Sequence, residues 1–495
     1  MKYFKILVLF FLVCFSCKEE QKETKVVETK YEPNLESLSK HKKVPEWFKD
    51  AKLGIYFHWG PYTVPAYGGE WYPRWMYTAK ESGWGSGWKE YHQKTYGKDF
   101  NYHEFFPDFT GEHFDATEWA KLFKATGAKF AGPVAQHHDG FAMWDSDVNP
   151  WNAKDIGPKQ DIVGKILEAL RNEGMKTITT LHHSVTVRHE TRRNYFNISP
   201  EFETSITNSE LRKLYGRLPI IEGRQYWLDI ANELVDKYDP DLLWFDSGLD
   251  RLPLEYRYKM TAHFFNAAEK SGKETAIIVK QKDLPPNIRI LDVERGGLKE
   301  MPKDYWMTDI TISNKGKGWG YIDGQTYKKT DVILKNMIDT WSKKGVVLLN
   351  ISPDKTGIIN QEQRTILAEI GDWIKTHEEA IYNTRSHRIY GYGTATIEDG
   401  SHGGQSSTIE YTSEDVRFTK SKDGKYLYVF LLGQPTAGSK LKIKYAITEG
   451  TPVKDISLLN SSTKIKWTQK GNMLYITAPS KKETNKITNV FKVQL

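Results

Sequence analysis

Asp239-Pro240-Asp241-Leu242-Leu243-Trp244-Phe245-Asp246-Ser247-Gly248 sets an apolar run of strand length directly against a carboxylate and a glycine. Aspartate forms strands poorly and costs free energy to bury as an anion, so Asp246 sits either on a solvated turn or in a site prepared for it. Alternation along a strand puts Trp244 and Asp246 on one face, where the indole would wall the carboxylate. The same pattern, an apolar strand running into polar groups, recurs along the chain. Residues 53–60 carry His58, residues 129–141 pass from strand into a loop with His137 and His138, and residues 177–184 end in His182 and His183. Residues 276–279 and 288–295 follow, the latter carrying Glu294, and residues 346–353 close the series with Asn350.

Helical patterns at 115–126, 162–174, 224–238, 255–270 and 329–343 alternate with these strands, which argues for parallel βα units. An open doubly wound sheet would place its ligand at one switch point, whereas polar residues at the C-terminal ends of all the strands fit a barrel with its loops at one mouth. The expected fold is therefore α/β, a (β/α)8-like barrel over residues 44–385. From there to residue 495 the pattern changes to short alternating strands with glycine turns, such as 426–432 and 441–445, which read as an all-β sandwich over 386–495. The aromatic-rich stretch 61–88, with Glu70-Trp71-Tyr72, shows neither helix nor strand patterning, and a loop of that length is expected to be a lid or a binding segment.

A chain of 495 residues with 39% hydrophobic and 27% charged side chains is globular, and long enough for a large domain plus a smaller one. The formal charge is +7, but Lys and Arg are interspersed with Asp and Glu, which argues against a nucleic-acid groove and only mildly for attraction to an anionic partner. Both cysteines, Cys14 and Cys17, fall within the first 17 residues, so the rest of the chain has no disulfide and no cysteine metal site. Residues 1–16 combine a basic start with an apolar run too short to span a bilayer and read as a signal peptide. Val13-Cys14-Phe15-Ser16-Cys17 resembles a loose bacterial lipobox, which implies acylation of Cys17, a membrane anchor and residence in the cell envelope; the rival is a soluble periplasmic or secreted protein. Residues 17–43 are polar and aperiodic and are expected to be a charged tether.

Three chemistries compete for the strand ends. Metal hydrolysis is disfavoured because adjacent strand residues point to opposite faces, so His137-His138 and His182-His183 would not chelate as pairs, and no His-x-His or His-Glu-x-x-His spacing occurs. His182 and His183 are expected to be packed barrel residues. The lack of a Gly-x-Ser-x-Gly elbow and of cysteines outside the leader argues strongly against serine or cysteine nucleophiles. Glycoside hydrolysis needs two carboxyl groups about 5 Å apart when the configuration is retained. Asp246 fits the nucleophile and Glu294 the acid/base, with Glu300 as its rival.

Gly54-Ile55-Tyr56-Phe57-His58-Trp59-Gly60, Glu70-Trp71-Tyr72, His137-His138-Asp139-Gly140-Phe141, Leu243-Trp244-Phe245-Asp246 and Leu348-Leu349-Asn350-Ile351-Ser352-Pro353 resemble, in order, the successive blocks of the α-L-fucosidases of glycoside hydrolase family 29. The resemblance implies a retaining exo-enzyme that releases terminal α-L-fucose from glycans, with a barrel, a C-terminal β-sandwich, no metal and no cofactor. It also implies that Asp246 is the nucleophile and that His58, Glu70, Trp71, His137 and His138 contact fucose. Tyr56, Trp244 and Trp319 of Gly318-Trp319-Gly320-Tyr321 would line the pocket. Trp306-Met307 stands where many members have Trp-Glu, and Lys280-Gln281-Lys282 where many carry an arginine, so a point charge replaces a planar fork there. On the same fold, an α-L-galactosidase or a non-catalytic glycan-binding protein are the alternatives.

Overall fold

The structure, a computed structural model, describes residues 30–314, 318–395 and 409–495. The leader and Cys17 lie outside the described residues. Eight parallel strands close a barrel in chain order: β1 (Leu53–Phe57), β2 (Phe130–Gln136), β3 (Lys176–Leu181), β4 (Leu242–Phe245), β5 (Ala276–Lys280), β6 (Ile290–Asp292), β7 (Trp306–Thr311) and β8 (Gly345–Ile351). No helix among the described residues is long and apolar enough to cross a membrane.

Period-2 alternation decides what faces the barrel axis. Tyr56, Ile178, Trp244, Ile278, Met307 and Leu348 pack there as a cluster separate from the one under the helices. Gly54 belongs to the same inward row, and a Cβ on it would sit 2.3 Å from the Phe130 ring that fills the axis. One pleat further along, the inward positions become polar. His58 follows Tyr56, Asp246 follows Trp244, Lys280 follows Ile278, Asp309 follows Met307 and Asn350 follows Leu348. Each strand therefore spends its apolar residues on the core and ends in a polar side chain at one mouth.

Strand β7 has no counterpart among the strands expected from sequence. Trp306-Met307-Thr308-Asp309-Ile310-Thr311 carries a carboxylate in its middle, and Asp309 is buried because it points into the barrel beside Lys280. Residues 30–43 also depart from the expected tether. Leu35–Leu38 is one helical turn capped by the Asn34 side chain, and Tyr31 and Leu38 are buried in the main core. The His41 ring stacks on Phe265 at 3.7 Å, and Asn266 bonds both the N–H and the C=O of Tyr31. Anchors this widely spaced show no period in sequence, yet they bind the segment along helix Leu254–Ser271.

The C-terminal region holds a five-stranded antiparallel sheet in the order β13-β16-β11-β10-β9 and a three-stranded one in the order β12-β15-β14. These strands are β9 (Thr384–Tyr392), β10 (Val416–Ser421), β11 (Tyr426–Leu431), β12 (Lys440–Ile443), β13 (Asp455–Leu458), β14 (Trp467–Lys470), β15 (Met473–Thr477) and β16 (Asn489–Gln494). Leu427, Val429 and Leu431 face the smaller sheet, while Tyr428 and Phe430 pack into the barrel's own core. The larger sheet is thus covered on both faces. Asp339, on helix Thr330–Ser342, ties the two regions through a buried bond from Arg417 Nε at 2.6 Å.

Candidate active site

The inward rows end in a cavity of about 520 Å³ at the barrel mouth, a size suited to a small ligand. Asp246 lies just past the end of β4, where its backbone N–H still bonds Leu181 O. Its side chain meets Lys280 Nζ at 2.7 Å through Oδ1 and His138 Nε2 at 3.1 Å through Oδ2. The same ammonium lies 2.8 Å from Glu294 Oε2 and 3.5 Å from Asp309 Oδ2. The two bonded oxygens of Asp246 and Glu294 can therefore be no further apart than the sum of 2.7 and 2.8 Å. That bound coincides with the roughly 5–5.5 Å between the carboxyl groups of retaining glycosidases.

Charge here is set by burial against Coulomb attraction. Burial opposes ionisation of Asp246, but the Lys280 ammonium, then His182 and His138, outweigh it and hold the carboxyl well below its usual range. Burial likewise opposes the Lys280 cation, and Asp246, Asp309 and Glu294 more than offset it, raising Lys280 well above its ordinary value. Deeper in, burial and then Asp309 push Asp292 well above the usual carboxylate range, so it stays a neutral acid.

The imidazoles form the opposite wall. His58 Nδ1 is 2.8 Å from Asn350 Oδ1, an acceptor, so Nδ1 carries the proton and Nε2 offers a lone pair. Burial lowers His58 to about 3, against that bond, so the ring is neutral. Burial and the neighbouring imidazoles push His137 well below its ordinary value, and burial does the same to His182 against the pull of Asp246. His138 Nδ1 meets the His182 carbonyl, and its Nε2 faces the Asp246 carboxylate. His58, His137 and His182 also bring one nitrogen each within 4.8 Å of one another, as do His138, His182 and an Asp246 oxygen, spacings a divalent cation could use.

Glu70 fixes the remaining wall. Its Oε2 accepts from the backbone N–H of Trp319 at 2.7 Å and of Gly320 at 3.1 Å, while Asn350 Nδ2 donates to Trp319 O at 2.8 Å. Trp71 packs 4.9 Å from the His138 ring, and Trp84, 54% exposed, stands 5.4 Å outward from Trp71 at the rim. The stretch 61–88 thus supplies a binding wall, with a 3-10 turn at Pro61–Thr63 and a helical turn at Tyr72–Trp75.

Of the residues singled out in sequence, Asp246, Glu294, His58, Glu70, Trp71, His137, His138 and Trp319 all line this one cavity. Glu300 does not. It is exposed on a segment whose Leu298 carbonyl is held by Lys343 Nζ at 2.9 Å, just ahead of the first residue of β8 and so at the opposite end of the barrel. Tyr56 and Trp244 are corrected from wall to floor. Both lie inside strands and are fully buried, one layer below the cavity, with Tyr56 Oη bonding Asp309 Oδ2 and Lys280 Nζ over the Trp244 ring. His137 and His138 share the cavity because they follow the end of β2, where strand alternation no longer applies. His182 is not a mere packing residue, since its Nδ1 lies 3.5 Å from Asp246 Oδ2; His183 is one, stacked on Trp227 away from the cavity. Arg295, Asp309 and Trp84 were missed in sequence, and only the density of aromatics around Trp84 gave a signal.

These features have counterparts in known proteins. Residues 18–379 match the family model described as alpha-L-fucosidase, and residues 409–494 that of the alpha-L-fucosidase C-terminal domain. The chain is 29% identical over 454 residues to plasma alpha-L-fucosidase of Homo sapiens, spanning 89% of this chain and 86% of that one. It is 27% identical over 469 residues to the tissue alpha-L-fucosidase of the same species, spanning 91% and 88%. The crystal structure of Thermotoga maritima alpha-fucosidase in complex with fucose aligns with a TM-score of 0.71 at 29% identity, over 93% of this chain and 99% of that one. With a family model spanning the barrel and a second spanning the β-sandwich, the chain belongs to the alpha-L-fucosidase family.

Proposed function

We propose that this protein releases terminal α-L-fucose from glycans with retention of configuration, with Asp246 as nucleophile and Glu294 as acid/base. The observation that carries the assignment is the single ammonium, Lys280, shared by both carboxylates, which limits their separation to the span a double displacement requires. Asp246, held ionised, attacks the anomeric carbon. Glu294 takes the bond from Lys280 on Oε2 and can carry its proton on Oε1, from which it passes to the departing glycosidic oxygen. The sugar is then an ester on Asp246. Glu294, now a carboxylate, takes a proton from the incoming water as the water oxygen displaces Asp246. Neutral His58, His137 and His182 accept from sugar hydroxyls, Glu70 and Trp71 complete the contacts, and Trp319 covers the apolar face of the ring.

Aryl α-L-fucoside and aryl α-L-galactoside, compared side by side, test the reading, with the first-formed anomer identified by proton NMR. Preferential turnover of the fucoside with the α-anomer appearing first is the expected result. Preference for the galactoside would move the assignment to an α-L-galactosidase, and fucose binding without turnover to a glycan-binding protein.

For placement in the cell, we propose a cell-envelope lipoprotein acylated at Cys17. Its support is the basic start, the apolar run and the lipobox-like residues before Cys17.

A further inference from the structure

Among the described residues, every charged side chain lining the cavity but one is held by an ion pair or by backbone N–H groups. Asp246 and Glu294 share Lys280, and Glu70 accepts from two backbone N–H groups. Arg295, which lines the same cavity, forms no ion pair among the described residues. Its guanidinium carbon lies 4.3 Å from the centroid of the Trp319 ring, and its Nε is buried without a partner. The backbone is committed to this placement as well. Arg295 has φ of 47°, a conformation L side chains other than Asn and Asp adopt reluctantly, and its N–H is bonded to Asp309 O at 2.8 Å. Strain, an aromatic bed and a bond from the next strand together hold a cation at the sugar's wall with its donors unspent.

From this we propose that Arg295 is a recognition residue for an oxyanion carried by the substrate, a sulfate ester or a carboxylate on the fucosyl unit or on the sugar it is linked to. The inference rests on the fucoside reading above. A guanidinium lying over an indole face leaves its N–H fork free to bond outward, and that fork matches the paired oxygens of sulfate and carboxylate. Sugar hydroxyls could occupy the donors, but they match neither the paired geometry of the fork nor its charge. An anionic substituent satisfies both.

The test is steady-state kinetics of the full chain with three substrates: a neutral aryl α-L-fucoside, the same fucoside bearing an O-sulfate on the sugar, and a fucoside whose leaving group carries a carboxylate. Inorganic sulfate serves as a competing ligand. At low salt one anionic substrate should exceed the neutral one in kcat/KM by about tenfold or more. That advantage should shrink as ionic strength rises, and the preferred substrate says where the oxyanion is carried. Sulfate should compete with the neutral fucoside. Arg295→Asn, which tolerates the positive φ, should abolish both the preference and the inhibition, while Arg295→Lys should keep part of each. Equal kcat/KM for all three substrates, no inhibition by sulfate, and a loss in Arg295→Asn that is uniform across substrates would overturn the inference. Failure to turn over even the neutral fucoside would instead overturn the fucosidase reading.

Discussion

Asp246 and Glu294 are held on one ammonium: Lys280 Nζ is 2.7 Å from the first carboxylate and 2.8 Å from the second. Without that charge, burial would drive Asp246 toward its protonated form, and a protonated carboxyl is no nucleophile. Lys280→Met should therefore move the acidic limb of the kcat/KM profile to higher pH, because the depressed Asp246 value rises once its main counter-charge is gone. The rate at pH 5 should fall relative to that at pH 7, a fall the wild type does not show. Lys280→Arg, which keeps the charge, should retain the wild-type limb at reduced kcat. A Lys280→Met enzyme with an unmoved acidic limb would show that the ammonium does not ionise the nucleophile.

Glu294 and Glu300 lie six residues apart but at opposite ends of the barrel. Loss of a general acid costs most where the leaving group is poor. Glu294→Ala should lower kcat about 10²–10⁴-fold on an alkyl or disaccharide fucoside, and far less on a dinitrophenyl fucoside that departs unaided. Azide should then restore turnover and give a fucosyl azide. Glu300→Ala should match wild type on every substrate. If instead Glu300→Ala showed the leaving-group dependence, the roles of the two glutamates would be exchanged.

Asp292 is buried on β6 behind Glu294 and kept neutral by burial and by Asp309. A neutral carboxylic acid and a carboxamide have nearly the same shape, so Asp292→Asn should leave kcat/KM within about threefold and change stability by less than about 1 kcal/mol. Asp292→Ala leaves a void and removes a polar neighbour of Asp309, which should cost about 1–3 kcal/mol. A large loss in Asp292→Asn, read by kinetics and urea denaturation together, would mean that the proton resides elsewhere.

The barrel and the carboxylate nucleophile were legible because both are written in period 2, in which apolar positions repeat along each strand until a polar one ends the row. Strand β7 broke that rule. Asp309 sits in its interior-facing row, and a strand interrupted by a carboxylate has no apolar signature; it exists because Lys280, from two strands away, neutralises it. Lys280 itself was visible only as a departure from an expected arginine, since nothing local says that one ammonium will bridge three acids. Tyr56 and Trp244 were placed one layer too high because alternation gives the face of a residue but not its depth. Arg295 escaped notice altogether, being defined by a backbone angle and by an indole 24 positions later in the chain. The docking of residues 30–43 likewise depends on a groove supplied by a distant helix.

Acid sensitivity offers a test of burial outside the cavity. Burial lowers His183 to about 3, with the Trp227 carbonyl bond opposing it, so the folded ring stays neutral while the unfolded one protonates near pH 6.5. A depressed folded value on a base means that the unfolded chain binds the extra proton. Stability contributed by keeping His183 neutral is therefore full above pH 6.5 and is lost as pH falls toward 3. Between pH 7 and 5 this one ring accounts for a loss of about 2 kcal/mol. Asp139 and Asp283 act in the opposite sense: burial pushes each up to about 6, so each binds a proton in the folded state first and adds stability over the same interval. The net slope of the wild type mixes these signs, and a difference between variants isolates one of them. His183→Asn, which keeps a polar group beside Trp227 without titrating, should be less stable than wild type at pH 7, yet lose about 2 kcal/mol less on going to pH 5 in urea denaturation. Parallel losses in the two proteins would mean that His183 titrates alike in both states, which its burial against Trp227 does not permit.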